Sequence, residues 1–446
     1  MRRRLLQAIV LVAIGAGSRL PIPPVVPSGL VVITLDTTRA DRLPAYGFVG
    51  VATPTIDRLA GEGVVFDHVE SVAPLTLPAH ASLFTGLYPQ RHGVRDNTAP
   101  PLAPAHRTLA QTLQTRGFRT AAFVGSMVLG RDRGLAPGFE VYGDGGRVGS
   151  PPPRRRPARE VVDDARAWIS DIGDAPFFLW VHLYDAHASQ TLPLEYRRAY
   201  GDNYEGAIAY MDAQIARLLD AMREQRLLAR TAIVVAGDHG ESLGAHGERE
   251  HGIFVYEAAT HVPLIVHGAG VAAKRVNAVT SLVDVLPTVL DLLGITRRGL
   301  IDGRSLAPAL RGGEVPDRTV YAESMYPRRF GWAPLRMIRD GHLKYIDAPR
   351  PELYDLRTDP LEERDLANAR PATVADMRAR LVDLAAEAPG QLAEHAALAP
   401  ETLRGLAALG YVSPGRRPVG IPPDEDGADP KDHIHLFNLL RARALR

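Results

Sequence analysis

The chain has 446 residues, 46% of them hydrophobic and 23% charged, and a formal net charge of +1. That size and balance fit a soluble globular protein of one large domain with an appendage, or of two domains, and give no global argument for nucleic acid or an acidic partner. The absence of cysteine excludes disulfides and thiolate metal sites.

Arg2, Arg3 and Arg4 precede an apolar run from Leu5 to Ala16. This is the shape of a secretory signal and is short for a membrane span; an uncleaved N-terminal anchor is the alternative. Pro21 to Gly29 is a stiff linker. Gly29 to Leu35 (GLVVITL) is a continuous apolar run, the pattern of a buried parallel strand, and it ends at Asp36. Ligands of open α/β sheets bind outside the carboxyl ends of strands, so Asp36 is a candidate metal ligand, with a plain helix cap as the alternative. A helix over Thr53–Glu62 and a strand over Val64–Val69 follow.

The next stretch, Ala73 to Asn97, is APLTLPAHASLFTGLYPQRHGVRDN. Pro78 favours the first turn of a helix, Ala79 to Phe84 continue it, and Gly86 ends it. Thr76 is then expected just ahead of a helix N-terminus, where unpaired N–H groups favour an anion. A hydroxyl there is either an N-cap or a candidate nucleophile. A helix over Leu109–Arg116 and a strand over Thr120–Val124 come next. Gly143 to Glu160, with its PPPRRRP run, reads as an exposed loop with a charged tip, before an amphipathic helix over Val161–Ile172.

Phe177 to His182 is a second buried strand, and His182, Asp185 and His187 cluster just past it. Tyr204 to Gln225 is a long core helix. Thr231 to Ala236 is a third strand, ending in Gly237-Asp238-His239-Gly240-Glu241. An adjacent Asp-His at a strand end can point two ligands at one ion, and a histidine nitrogen suits zinc or manganese better than calcium or magnesium. His246 and His251 follow, then a strand over Leu264–Val266 and a helix over Ser281–Leu293. From about Val315 the texture changes to short strands: Thr319–Ser324, Leu335–Arg339, Leu343–Ile346 and Glu352–Leu356, with Asp340-Gly341 as a hairpin turn. A helix over Met377–Glu387 covers them. Thr402–Leu409 and Ile434–Leu445 read as helices of a tail whose docking and partner the sequence leaves open.

The core motif resembles that of the sulfatase family, within the alkaline-phosphatase superfamily: Cys or Ser, any residue, Pro, Ser, Arg, then Leu-Thr-Gly. Here it reads Thr76-Leu77-Pro78-Ala79-His80 and Phe84-Thr85-Gly86. Further matches run from Asp36-Thr37-Thr38-Arg39-Ala40-Asp41 through Asp238-His239 to Glu352-Leu353-Tyr354-Asp355-Leu356. The resemblance implies an α/β fold, an alkaline-phosphatase/sulfatase-like mixed sheet sandwiched by helices, with a smaller C-terminal antiparallel sheet and helix. The expected divisions are 1–28 as leader or anchor, 29–314 as catalytic domain, 315–395 as an α+β subdomain and 396–446 as a helical tail. It also implies a metal site of Asp36, Asp238 and His239, with Thr76 bridging as nucleophile. Asn97, His187 and His251 would grip an ester of a small molecule, glycan or lipid headgroup.

Departures are specific. Thr37 stands where the family has a second aspartate. Ser126 and Val128 stand where it has a sulfate-holding Lys and His, and His251 where it has a Lys. Thr76 is not expected to yield the formylglycine that many sulfatases make from Cys or Ser. The expectation is therefore an exported, metal-dependent hydrolase of a sulfuric or phosphoric ester. The alternatives are a phosphodiesterase, phosphonate hydrolase or phosphoryl transferase on the same scaffold, and a binding scaffold whose site has decayed.

Overall fold

The computed structural model describes residues 26–146, 155–187, 192–296, 299–386, 400–409 and 427–444. The leader or anchor expected over Met1–Ala16 lies outside them. Apolar runs form the strands of the main sheet: β1 (Gly29–Leu35), β2 (Val64–Glu70), β3 (Arg119–Val124), β4 (Val141–Gly143), β5 (Phe177–Leu183), β6 (Thr231–Gly237), β7 (Leu264–Gly268) and β8 (Lys274–Ser281). Their spatial order is β4-β3-β5-β1-β6-β7-β2-β8. β7 runs antiparallel to β6 and β2, and the other pairs are parallel.

β1 is central and buried on both faces, which is why its sequence is apolar throughout rather than alternating. Leu30 and Val32 join a core under the helices Thr76–Thr85, Leu109–Gln114 and Val285–Leu292. Val31, Ile33 and Leu35 join the opposite core under Pro54–Glu62, Ala158–Ser170 and Tyr204–Glu224. A second sheet, β9 (Val320–Ser324), β10 (Leu335–Asp340), β11 (Leu343–Asp347) and β12 (Glu352–Asp355), is antiparallel in the order β12-β11-β10-β9. The helix Pro371–Ala386 covers it through Met377 and Leu381. The fold is thus the mixed α/β sheet with a smaller antiparallel C-terminal sheet.

The differences from expectation have local causes. The helix expected over 281–293 starts later: Ser281 closes β8, Leu282–Asp284 is a 3-10 turn, and the helix is Val285–Leu292. Pro287 sits in its first turn, where a missing N–H breaks no helical bond. β8 escapes a sequence search because KRVNAVTS mixes charged and apolar residues, as an edge strand does. In the loop expected to be exposed, residues 147–154 lie outside the described set. Arg156 is buried, bound to the carbonyl of Gly143 and to Asp164. The tail helices Pro400–Ala408 and Pro430–Ala444 dock, with Leu406, Leu409, Ile434 and Phe437 in the main core. No described helix is long and apolar enough to cross a membrane.

Candidate active site

Parallel register assembles the site. Leu35 of β1 lies beside Leu183 of β5 and Gly237 of β6. The residues that follow each strand therefore emerge at one edge, and Asp36 meets Asp238. Gly237 permits this, since a Cβ there would lie 2.6 Å from the Thr38 carbonyl oxygen. Thr76 arrives from the other side as the first residue of the helix Thr76–Thr85, not ahead of it. Gly86 ends that helix in the left-handed conformation at φ 69°. Leu75 offers no side-chain cap. Asn97 supplies one from a distance, its Oδ1 accepting the Leu77 N–H at 2.9 Å. The Asn97 Nδ2 is buried without a partner among the described residues.

Thr76 Oγ1 lies 3.4 Å from Asp36 Oδ2 and 3.3 Å from His239 Nε2. Hydrogen bonds define the histidine tautomers. His239 Nδ1 donates to the Gly240 carbonyl at 2.9 Å, so its Nε2 presents a lone pair. His182 Nδ1 accepts the Gly125 N–H at 3.3 Å, so its Nε2–H donates to Asp36 Oδ2 at 3.1 Å. His80 Nδ1 donates to the Thr76 carbonyl at 2.8 Å, and its Nε2 accepts from Thr34 Oγ1 at 3.0 Å. Burial pushes His80 down to about 3 and His182 down to about 4, so both are neutral.

The carboxylates are less well served. Asp238 Oδ1 accepts N–H bonds from Thr37 at 3.1 Å and His239 at 2.8 Å. Asp238 Oδ2 and Asp36 Oδ1 are buried with no hydrogen-bond partner among the described residues. Burial, and then the charge of Asp238, push Asp36 well above the ordinary carboxylate range. Buried, unpaired and mutually repelling, these oxygens call for a cation. Asp36, Asp238 and His239 offer ligand atoms within 4.8 Å of one another, a set that fits a divalent ion. His80, His182 and Asp238 are equally close. Both ring nitrogens of each of those histidines are already hydrogen-bonded, which makes that set the poorer one.

His251 and His187 extend the site. The His251 ring centroid lies 4.5 Å from that of His239 and 5.0 Å from that of His187. His187 stacks on Tyr184 at 4.6 Å. His251 Nδ1 is 3.1 Å from Glu241 Oε1. Burial, then His239, hold His251 well below its ordinary range. The other members of the expected histidine cluster diverge: His182 holds Asp36, while Asp185 accepts the Ala158 N–H and caps the helix Ala158–Ser170. Ser126 is structural, its Oγ accepting the Val128 N–H at 3.3 Å, and Val128 is fully buried. Glu241 was missed from the sequence although it stands in the same Gly-Asp-His-Gly-Glu run as two expected ligands.

A family model described as Sulfatase matches residues 28–295, and one described as N-sulphoglucosamine sulphohydrolase, C-terminal matches residues 245–387. The choline-sulfatase of Rhizobium meliloti is 39% identical over 176 residues, which is 38% of this chain and 33% of that protein. The chain thus spans a third of that relative's length. The delta 4,5-hexuronate-2-O-sulfatase of Bacteroides thetaiotaomicron is 25% identical over 404 residues, covering 75% of this chain and 84% of the relative. The solved phosphonate monoester hydrolase of Agrobacterium radiobacter superposes with a TM-score of 0.70 at 24% identity, over 84% of this chain and 98% of that one, a likeness of fold.

Proposed function

This chain belongs to the sulfatase family and is a sulfatase-like ester hydrolase, and from that premise we propose that it cleaves a sulfuric or phosphoric ester with Thr76 as a metal-assisted nucleophile. The observation that carries this reading is the convergence of Asp36 Oδ1, Asp238 Oδ2 and the His239 Nε2 lone pair beside Thr76 Oγ1. Asp36, Asp238, His239 and Thr76 would hold one divalent ion, zinc or manganese in preference because of the histidine nitrogen. When bound, that ion lowers the hydroxyl pKa and offsets charge on the non-bridging oxygens of the ester.

The chain's own groups do the rest. Thr76 Oγ1 gives its proton to Asp36 Oδ2, 3.4 Å away, and attacks the sulfur or phosphorus centre, forming a covalent ester as the bond to the leaving oxygen breaks. The Asn97 Nδ2 donates to the anion. His251, held by Glu241 through Nδ1, turns its Nε2 to the leaving oxygen and gives it a proton. An anionic ester beside the ring raises His251 again, against the burial that lowers it. His187 closes the pocket against His251. Water then attacks the covalent ester as His251 takes one of its protons, and the proton held on Asp36 returns to the departing Thr76 Oγ1.

A phosphoric rather than sulfuric ester, diester and phosphonate included, is favoured by one feature. Ser126 and Val128 serve the fold where the resemblance has anion-holding Lys and His. A decayed scaffold is disfavoured, because nothing in a binding role maintains two unpaired buried carboxylates. The apolar run behind Arg2 to Arg4 supports export to the periplasm, with or without retention at the membrane. The division into 29–314, 315–395 and a tail from 396 is likewise our proposal. An activity panel of aryl sulfate, phosphate monoester, phosphate diester and phosphonate monoester, each with zinc, manganese, calcium and magnesium, tests the function. Turnover of at least one ester that requires an added metal is expected; no turnover with any pair contradicts the reading.

A further inference from the structure

The helix Pro430–Ala444 lies outside both matched ranges, 28–295 and 245–387, yet it reaches the active site. Its target is the loop from Glu241 to His251. That loop is strained: Leu243 and His246 adopt left-handed φ of 50° and 51°, which non-glycine residues keep only when their surroundings impose it. Inside the loop, the Ser242 N–H bonds the Glu250 carbonyl and the Gly244 N–H bonds the Glu248 carbonyl, each at 2.8 Å. The helix supplies the outer restraint. The Arg249 N–H donates to Asn438 Oδ1 at 3.1 Å, and Asn438 Nδ2 donates to the Gly247 carbonyl at 2.8 Å. Arg441 Nε donates to Glu250 Oε2 at 2.7 Å, and its Nη2 pairs with the same oxygen. Its Nη1 donates to the Leu409 carbonyl at 2.7 Å, fixing the guanidinium at both ends. Arg441 is 4% exposed.

We propose that Arg441 is a positioning residue for the hydrolase: its clamp on Glu250 fixes the loop that presents His251, the next residue, to the ester. The C-terminal helix is then a working wall of the site rather than an appendage. The charge of Arg441 is also felt at His187, His251 and Glu241, consistent with that closeness. The inference rests on the reading that His251 faces the ester.

The test uses the full chain, four single variants and the double variant of Arg441→Gln with Glu250→Gln. Arg441→Gln and Glu250→Gln break the clamp from either side. His433→Ala lies on the same helix about two turns from Arg441 and stacks on Trp332, and so reports helix stability without the clamp. His251→Ala reports whether the site reading holds. Two quantities are read: amide hydrogen exchange over residues 242–251, which needs no metal, and kcat/KM on the aryl ester the panel selects. Arg441→Gln and Glu250→Gln are each expected to speed exchange in that loop and lower kcat/KM, by about tenfold. The double variant should be no worse than either single one. His433→Ala should keep kcat/KM within about twofold even if its melting temperature falls as much as that of Arg441→Gln. Equal effects of Arg441→Gln and His433→Ala on both quantities, or no effect of Arg441→Gln on loop exchange, overturn the proposal. Unchanged kcat/KM in His251→Ala overturns instead the site reading, and the exchange data still decide the clamp.

Discussion

Two regions of this molecule bury charge, and they handle it in opposite ways. At the junction of the two sheets, Arg339 Nη1 meets Glu70 at 2.7 Å and Glu257 at 3.2 Å, and Lys344 Nζ meets Glu257 at 2.9 Å and Glu362 at 3.0 Å. Every carboxylate there faces a cation. Burial raises Glu257, but Lys344 and Arg339 outweigh it and hold the group below its ordinary range. At the ends of β1 and β6, Asp36 and Asp238 are as deeply buried, and among the described residues no lysine or arginine forms an ion pair with either. The junction keeps two carboxylate oxygens, Glu70 Oε2 and Glu362 Oε1, without a hydrogen bond among the described residues, but each of its carboxylates has a lysine or arginine beside it, and it reads as structure. No side-chain cation offsets the strand-end carboxylates, and their unpaired oxygens with the His239 nitrogen fit a divalent ion.

The largest effect that would break this comparison lies at the strand ends. An Asp238→Ala, His239→Ala double variant should hold no stoichiometric metal by elemental analysis after mild dialysis and show no turnover; metal that persists removes the site. Next in size is Lys344→Met at the junction. It leaves buried Glu362 without a cation and Glu257 with Arg339 alone, and should destabilise the fold by about 3–5 kcal/mol in chemical denaturation. Asp36→Asn should do the reverse in metal-stripped protein, since it relieves like-charge crowding while keeping an acceptor for His182. A rise in melting temperature of about 2 °C is expected, and a fall would show that Asp36 belongs with the structural charges.

The smallest effect is a pH dependence. Burial pushes the Asp185 carboxyl up to about 7, against the backbone N–H bonds that lower it. Between the ordinary carboxylate range and about 7 the folded chain keeps a proton that the unfolded chain releases. Stability from this group is present at low pH and declines as pH rises through about 7. Asp185→Asn, which still accepts the Ala158 N–H, should flatten that decline in melting curves taken from pH 5 to pH 8.

The strand-end residues were legible because β1, β5 and β6 are continuous apolar runs that stop at polar residues, and parallel strands deliver such stops to one edge. Local signals also gave the helix after Pro78 and its end at Gly86. What was not legible depends on distant partners. The Arg441 clamp joins residues 191 apart in the chain. The cap that Asn97 gives Leu77 bridges 20 residues with no motif between them to announce it. β8 gave no pattern because an edge strand needs none, and the tail gave no sign of docking because its two helices bury only a few side chains each.

The central claim is that Thr76 is the nucleophile of a metal-dependent hydrolase, and the most direct measurement is the turnover and metal content of Thr76→Ala on the best ester of the panel. The account predicts a folded protein that keeps most of its metal through Asp36, Asp238 and His239 and loses about 10³-fold or more in kcat, with Thr76→Ser retaining part of it. A folded, metal-loaded Thr76→Ala with near-normal kcat would contradict the account.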